Sequence, residues 1–359
     1  MLFFELLQVA LGNRDKLSAV PSANEWSDIY EAAGLQAVTG ILLHGIGGLP
    51  AEQKPMRTFL LQWIGVGQFI EQRNHVLNKH CVELLQLLED KGLQGSILKG
   101  QGIAQLYDKE IQQLRQSGDI DVYVDCGLEQ AIAFAKAQGQ EKIEWDYKHL
   151  HLKIWKDTEV EVHYHVEVLL NLWKNRKLQQ WFKEHEAEIF ALENDNTNGM
   201  VTPTVEFNVF YILLHIYRHF LYEGVGLRQI IDYYFVLSQL NDHKEVLDVR
   251  FALDAVSQFG MERFAKGLMW VMQEALGMQS DWMLWEPDQK EGDYILNQVM
   301  KGGNFGHHDE RLKKRSGKIG AVKAILSHNM HLLTHYPADT IWAPIWIVWH
   351  KLWKVSHRC

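Results

Sequence analysis

The sequence predicts an α+β fold, a small mixed sheet set mid-chain between two helical regions. Three features predict it. Residues 118–124, 149–155 and 160–166 alternate apolar and polar side chains with the period of two that marks a strand. The stretches before residue 93 and after residue 169 place apolar residues at helical spacing instead. Between them, the apolar pair Ile97-Leu98 meets Lys99 and the glycines Gly100 and Gly102, a junction suited to a strand turning into a helix. The expected regions are therefore 1–93, helical; 94–168, the sheet core; and 169–359, helical.

Taken in order, Trp26 to Leu43 reads as one helix capped by Ser22 or Asn24. Gly45-Ile-Gly-Gly-Leu-Pro50 reads as a break. Pro55 opens a long helix through Trp63 and Phe69 toward Leu88, and Gly92 ends it. The core then runs as strand Gly95–Leu98, helix Gly102–Asp108, strand Gly118–Val124 and helix Leu128–Gln138. His149–Trp155 and Val160–Val166 form an antiparallel hairpin that turns at Asp157-Thr158.

Beyond a polar break at Asn194–Gly199 come an apolar helix, Pro203–Leu221, and a second one, Leu227–Leu240. Two more helices lie within Val246–Leu276, parted near Gly260. The glycine-rich stretch Gly302–Gly306 reads as a turn, and the basic run Arg311–Lys318 as a solvated face. Trp342, Trp346, Trp349 and Trp353 share one stripe of a closing helix, read as core packing with a membrane-surface face as the alternative.

The chemistry concentrates in the core. On a strand, Asp119 and Asp121 project from the same face. Two carboxylates so placed suit a hard divalent cation that also holds substrate phosphates. Gly100 and Gly102 let the backbone approach a ligand closely, and a helix starting at Ile103 would add an N-terminal anion site. A phosphate-cradling turn ahead of a paired-Asp strand points to metal-assisted nucleotidyl transfer. Lys99 and Arg115 are candidate triphosphate ligands; the alternative is structural, Lys99 closing a strand end and Arg115 pairing with an Asp. His215 and His219 stand one turn apart, but His-Ile-Tyr-Arg-His lacks the Glu of a zinc-protease motif.

Lys99-Gly100, Tyr107 and Arg115-Gln-Ser-Gly-Asp-Ile-Asp121 carry a resemblance. They resemble the Lys-Gly…Tyr…Arg-x-x-Gly-Asp-Ile-Asp core of the bacterial "uncharacterised nucleotidyltransferase" family, within the superfamily that includes DNA polymerase beta. Abortive-infection nucleotidyltransferase toxins have a related pattern. Superfamily members usually carry Gly-Ser or Gly-Gly at the turn, where this chain has Gly100-Gln101. The resemblance implies Mg²⁺ or Mn²⁺ held by Asp119, Asp121 and a third carboxylate, with Lys99, Gly100, Gln101, Arg115 and Gly118 around the nucleotide. The family places an acid two positions before a His that is followed by an aromatic. Glu161, His163 and Tyr164 match, so Glu161 is the expected third carboxylate and Glu159 the fallback. His163, His215, His219, Arg228 and Asp232 are implied substrate contacts. The implied reaction moves a nucleoside monophosphate from a triphosphate such as ATP to a small molecule, a protein or an RNA end. A toxin-like enzyme and a catalytically degenerate nucleotide- or partner-binding protein are the alternatives.

Whole-chain properties bound this reading. The 359 residues, 47% hydrophobic and 23% charged, are those of a globular protein. A net charge of −9 argues against long nucleic acid as a partner. The three cysteines, Cys81, Cys126 and Cys359, have no metal-ligand spacing and fit a reducing cytoplasm. The apolar N-terminal stretch lacks a basic region and is interrupted by Glu5, so no signal peptide is expected. No run reaches the ~18 apolar residues of a spanning helix, and no membrane contact is expected.

Overall fold

The computed structural model describes residues 1–190, 199–303, 332–333 and 335–357. The polar break at 194–198, the glycine-rich stretch beyond Gly303 and the basic run at 311–318 lie outside the described residues. Helices α1 (Leu2–Ala10), α2 (Ala23–Leu35), α3 (Thr39–Gly48) and the long α4 (Arg57–Glu89) lead to β1 (Gly95–Ile97). The single turns α5 (Gln101–Ala104) and α6 (Lys109–Gln112) precede β2 (Ile120–Val124), α7 (Leu128–Ala137), β3 (His149–Leu152) and β4 (Val160–His163). Next come α8 (Leu172–Glu184), α9 (Glu186–Ile189), α10 (Val205–Tyr222), α11 (Leu227–Asp242), α12 (Arg250–Phe259), α13 (Glu262–Val271) and α14 (Gln289–Gly302). The described chain closes with α15 (Pro337–Thr340) and α16 (Trp342–Ser356). This is the expected α+β fold, with a small mixed sheet among helices.

The chain divides into two compact units. Met1–His75, Leu106–Ser117 and Ile212–Lys314 form the first, and Val76–Gln105, Gly118–Tyr211 and Arg315–Cys359 the second. It passes from one to the other within α4, after Gln105, after Ser117 and within α10.

The second unit holds the sheet, in the order β1-β2-β4-β3. β1 pairs antiparallel with β2, β2 parallel with β4, and β4 antiparallel with β3. One face is wholly apolar. Ile97, Ile120, Val122, Leu150, Val160 and Val162 pack there with Leu77, Leu84 and Leu88 of α4 and Phe134 of α7. Burying each such aliphatic side chain contributes about 1.5–3 kcal/mol. A one-residue slip of β2 would turn Asp121 into this core, so the apolar face fixes the register. The opposite face is therefore committed to Asp121, Tyr123, Glu161, His163, His149 and His151.

The tryptophan helix α16 belongs to the same unit; its tryptophans are half-buried, while Ile345, Val348, Leu352 and Val355 on it are exposed. Trp346, Trp349 and Trp353 surround Tyr147 at ring distances of 5.5, 4.9 and 5.1 Å. Trp353 also meets Trp145 edge-on at 5.6 Å. Among the described residues, no helix is long and apolar enough to cross a membrane.

The first unit is helical. Here the single helix expected over Trp26–Leu43 is two, α2 and α3, broken at Gln36 to Val38. Ser22 caps α2 in a capping box with Glu25. At the break the Gln36 side chain is drawn into the interior, where it accepts from the Leu227 N–H (3.0 Å) and donates to the Val299 carbonyl (3.1 Å). Ala37 takes φ +54° to allow it. The glycines expected to break the chain at 45–48 are instead helical. A Cβ at Gly45 would lie 2.9 Å from the Leu6 carbonyl, so this glycine serves the close approach of α1 to α3.

Gln36→Leu leaves the buried Leu227 N–H without its acceptor. The expected loss is about 1–3 kcal/mol, read from urea denaturation.

Candidate active site

The turn after β1 is built from the backbone outward. Leu98 N–H donates to the Asp121 carbonyl at 2.9 Å, which seats the strand end beside β2. Gly100 then takes φ +54°, ψ −107°, a conformation that side-chain-bearing residues rarely adopt. A Cβ on Gly102 would lie 2.3 Å from the Ile97 carbonyl, so only glycine fits where the chain doubles back. The helix expected over Gly102–Asp108 is a single turn, Gln101–Ala104. It is too short for the helix-dipole anion site that the sequence pointed to. The Gln101 side chain is buried and donates to Asn78 Oδ1 on α4 at 2.5 Å.

Across the turn, Lys99 points its ammonium at β2, with Nζ 2.8 Å from Asp121 Oδ1. The register sets Asp121 opposite Glu161 and Tyr123 opposite His163. His163 is fully buried, and its Nε2 lies 3.0 Å from Asp121 Oδ1 and 3.3 Å from Glu161 Oε2. One imidazole nitrogen thus ties the two carboxylates together, while the buried Nδ1 has no hydrogen-bond partner among the described residues. Asp119 is half-buried at the head of β2, and Gly118 before it is exposed. Glu159, the fallback acid, is exposed, and its carbonyl accepts from Ile120 N–H.

The electrostatics follow from this crowding. Burial works against the charge of Asp121, but the Lys99 ammonium and the His163 hydrogen bond outweigh it and hold its carboxyl well below the usual range. Burial opposes the Glu161 charge too, and His163 again brings the net shift downward. Asp119 goes the other way. The Asp121 charge, and then burial, push it up to about 6, against the pull of Lys99. His163 is raised, because its bonds to Asp121 and Glu161 overcome its burial. Burial and the His163 charge lower His149 to about 4.

This donor set fits a hard divalent cation. It offers ionised oxygen ligands, and the raised Asp119 records a mutual repulsion that such a cation relieves. Ligand atoms of Asp121, Glu161 and His163 lie within 4.8 Å of one another. Beside them sits a buried ion pair that sequence reading missed, Lys148 Nζ to Glu167 Oε1 at 3.2 Å. Val168 N–H also donates to that carboxylate oxygen. The sequence reading also passed over His149 and His151. Their signal was His-x-His on a strand paired with Glu-x-His.

The remaining predicted residues lie in the helical unit. Arg115 and Asp232 pair with each other there: Nε to Oδ1 and Nη2 to Oδ2, both 2.7 Å. Tyr107 OH donates to the same Oδ1 at 2.7 Å, and Arg115 Nη1 donates to Ser117 Oγ at 3.0 Å. Arg228 donates to the Gln116 carbonyl at 2.8 Å. His215 and His219 lie ring against ring at 4.3 Å, and His219 Nδ1 is 3.0 Å from Glu223 Oε2.

A family model described as "Uncharacterised nucleotidyltransferase" matches residues 22–277. No curated protein and no solved structure matches the chain. The family match takes in the Lys99-Gly100 turn, all four strands and the helices from α2 to α13, well beyond the paired-Asp strand alone. The chain belongs to this uncharacterised nucleotidyltransferase family, and it is a transferase enzyme.

Proposed function

We propose that the chain is a Mg²⁺-dependent nucleotidyltransferase whose metal ligands are Asp119, Asp121 and Glu161. The observation that supports this reading is the pairing of Asp121 with Glu161 across β2 and β4, with the Lys99 ammonium against Asp121. Bound Mg²⁺ supplies charge neutralisation on the triphosphate and lowers the pKa of an acceptor hydroxyl.

The chain's own groups do the rest. His163 fixes the carboxylates of Asp121 and Glu161 through one shared nitrogen. Lys99 is a charged donor for a triphosphate oxygen. Gly100 and Gly102 keep the backbone low where the phosphates approach. In the reaction an acceptor oxygen bonds to the α-phosphorus, the bond from that phosphorus to the β-phosphate bridge breaks, and pyrophosphate leaves. The acceptor's proton passes to a carboxylate of the triad. Arg115, held by Asp232, supports the loop before β2 rather than a phosphate. Cys81 and Cys126 are free thiols, which fits work in a reducing cytoplasm.

Pyrophosphate release from the four triphosphates, with Mg²⁺ and a boiled cell extract as acceptor source, tests the reading. Asp119→Asn is expected to reduce turnover by more than about 1000-fold. Equal turnover would sink the assignment. The same variant should stabilise the metal-free protein. Asp119 carries a folded-state pKa of about 6 against 3.8 for an unperturbed aspartate, so native stability falls as pH rises through that window. At pH 8 the Asn variant gains about 2–3 kcal/mol, and near pH 4 almost nothing, as read by urea denaturation.

Lys99→Met removes the counter-charge of a buried carboxylate. The expected loss is about 3 kcal/mol without metal. Saturating Mg²⁺ should raise the melting temperature of this variant more than that of the unaltered chain.

A further inference from the structure

We propose that His149, His151 and Glu161 form a second metal site, which takes one borderline transition ion of the Zn²⁺ class through two imidazoles and a carboxylate. This goes beyond the nucleotidyl-transfer reading and shares only Glu161 with it.

His149 and His151 are two apart on β3, so both face the polar side of the sheet. The antiparallel register places His151 opposite Glu161 and His149 opposite His163. One ligand atom from each of His149, His151 and Glu161 falls within 4.8 Å of the others. The two imidazole rings stand 5.0 Å apart and nearly perpendicular, at 86°, rather than stacked. Among the described residues the buried His149 Nδ1 makes no hydrogen bond, and it lies 3.5 Å from Glu161 Oε2. That is a buried nitrogen aimed at a carboxylate.

The other nitrogen of His149 adds an independent observation. Its Nε2 faces Asp146 Oδ2 at 4.0 Å. Asp146 Oδ1 is itself anchored by the backbone N–H groups of Lys148 and His149, at 2.7 and 3.1 Å. A metal-binding histidine usually turns its second nitrogen toward such an outer carboxylate, which sets the ring orientation.

The donor set selects the ion. Two imidazoles and a carboxylate, with a position left for water, are the ligands of a catalytic zinc site. Imidazole favours Zn²⁺, Co²⁺ or Ni²⁺, whereas the all-oxygen Asp119 and Asp121 favour Mg²⁺. There is also a way in. His151 lines an open cleft of about 620 Å³ whose wall carries Glu141, Glu144 and Asp146 beside Lys136 and Lys354.

The test uses the full-length chain, stripped with chelator and titrated with Co²⁺ alone, without nucleotide. One tight equivalent with visible d–d absorption is expected. His149→Gln and His151→Gln should each weaken it by at least about 100-fold, the upper end of what losing an outer-shell partner costs. Asp119→Asn should leave it unchanged. The chain has 18 histidines, so only the difference between variants counts toward this site. X-ray absorption of the Zn²⁺-loaded, unaltered chain needs no variant to fold. It should find two imidazole nitrogens at about 2.0–2.1 Å. An oxygen-only shell, Co²⁺ binding indifferent to both histidine variants, or no stoichiometric binding would each overturn the proposal. If Asp119→Asn kept its turnover, the transferase site assignment would fail while this site would still be judged on Co²⁺ alone.

Discussion

Asp121 and Glu161 stand opposite each other across the one parallel strand pair of the sheet, and the site is organised around keeping two such charges side by side. Taking carboxylates out of water is strongly unfavourable unless they are paired. Lys99 and His163 provide the pairing, at 2.8 to 3.3 Å. The Lys99 ammonium and the His163 imidazole face three carboxylates, and the repulsion by the Asp121 charge appears in Asp119, whose pKa is pushed up to about 6. The free energy that holds this arrangement together comes from the other side of the sheet. There the aliphatic face of β2 and β4 packs on α4 and α7, and any slip of register would exchange that contact for buried charge.

The polar face is graded in its chemistry. Toward β2 it presents oxygens, with Lys99 as the standing counter-ion; toward the β3 edge it presents imidazoles. Glu161, on the strand between, belongs to both halves. The Lys148–Glu167 pair carries a further buried positive charge near this face. Buried ion pairs of this kind add little to stability by themselves, so their presence beside the carboxylates fits a role in organising charge.

The legible parts of the chain were the local ones. Period-two alternation in Gly118–Val124 is a property of a few neighbours, and it placed Asp119 and Asp121 near one another without any tertiary information. The existence of the strands, the long helix after Pro55 and the helix end at Gly260 were legible for the same reason. The strands are shorter than the alternation, however: β2 begins at Ile120 rather than Gly118, and β3 and β4 end at Leu152 and His163 rather than Trp155 and Val166. Glu161 was reached only through family resemblance, because the parallel pairing of β2 with β4 skips over β3 and leaves no mark in either strand. The Arg115–Asp232 pair spans 117 residues of chain; the structural alternative for Arg115 was a pairing with an Asp, but nothing local in the sequence names Asp232 as that partner. The break at Ala37 depends on contacts of Gln36 with Leu227 and Val299, far along the chain. The one-turn α5 was misjudged because helical spacing continues past Ala104 in the sequence, whereas the backbone turns at Gln105.

The most direct test is equilibrium binding of a triphosphate whose α,β-bridge is a non-hydrolysable methylene, which requires no acceptor. The account predicts binding that depends on Mg²⁺ and is lost in both Asp119→Asn and Glu161→Gln. Binding of equal strength without Mg²⁺, or binding retained in both variants, would contradict the claim that these carboxylates form a metal-dependent nucleotide site.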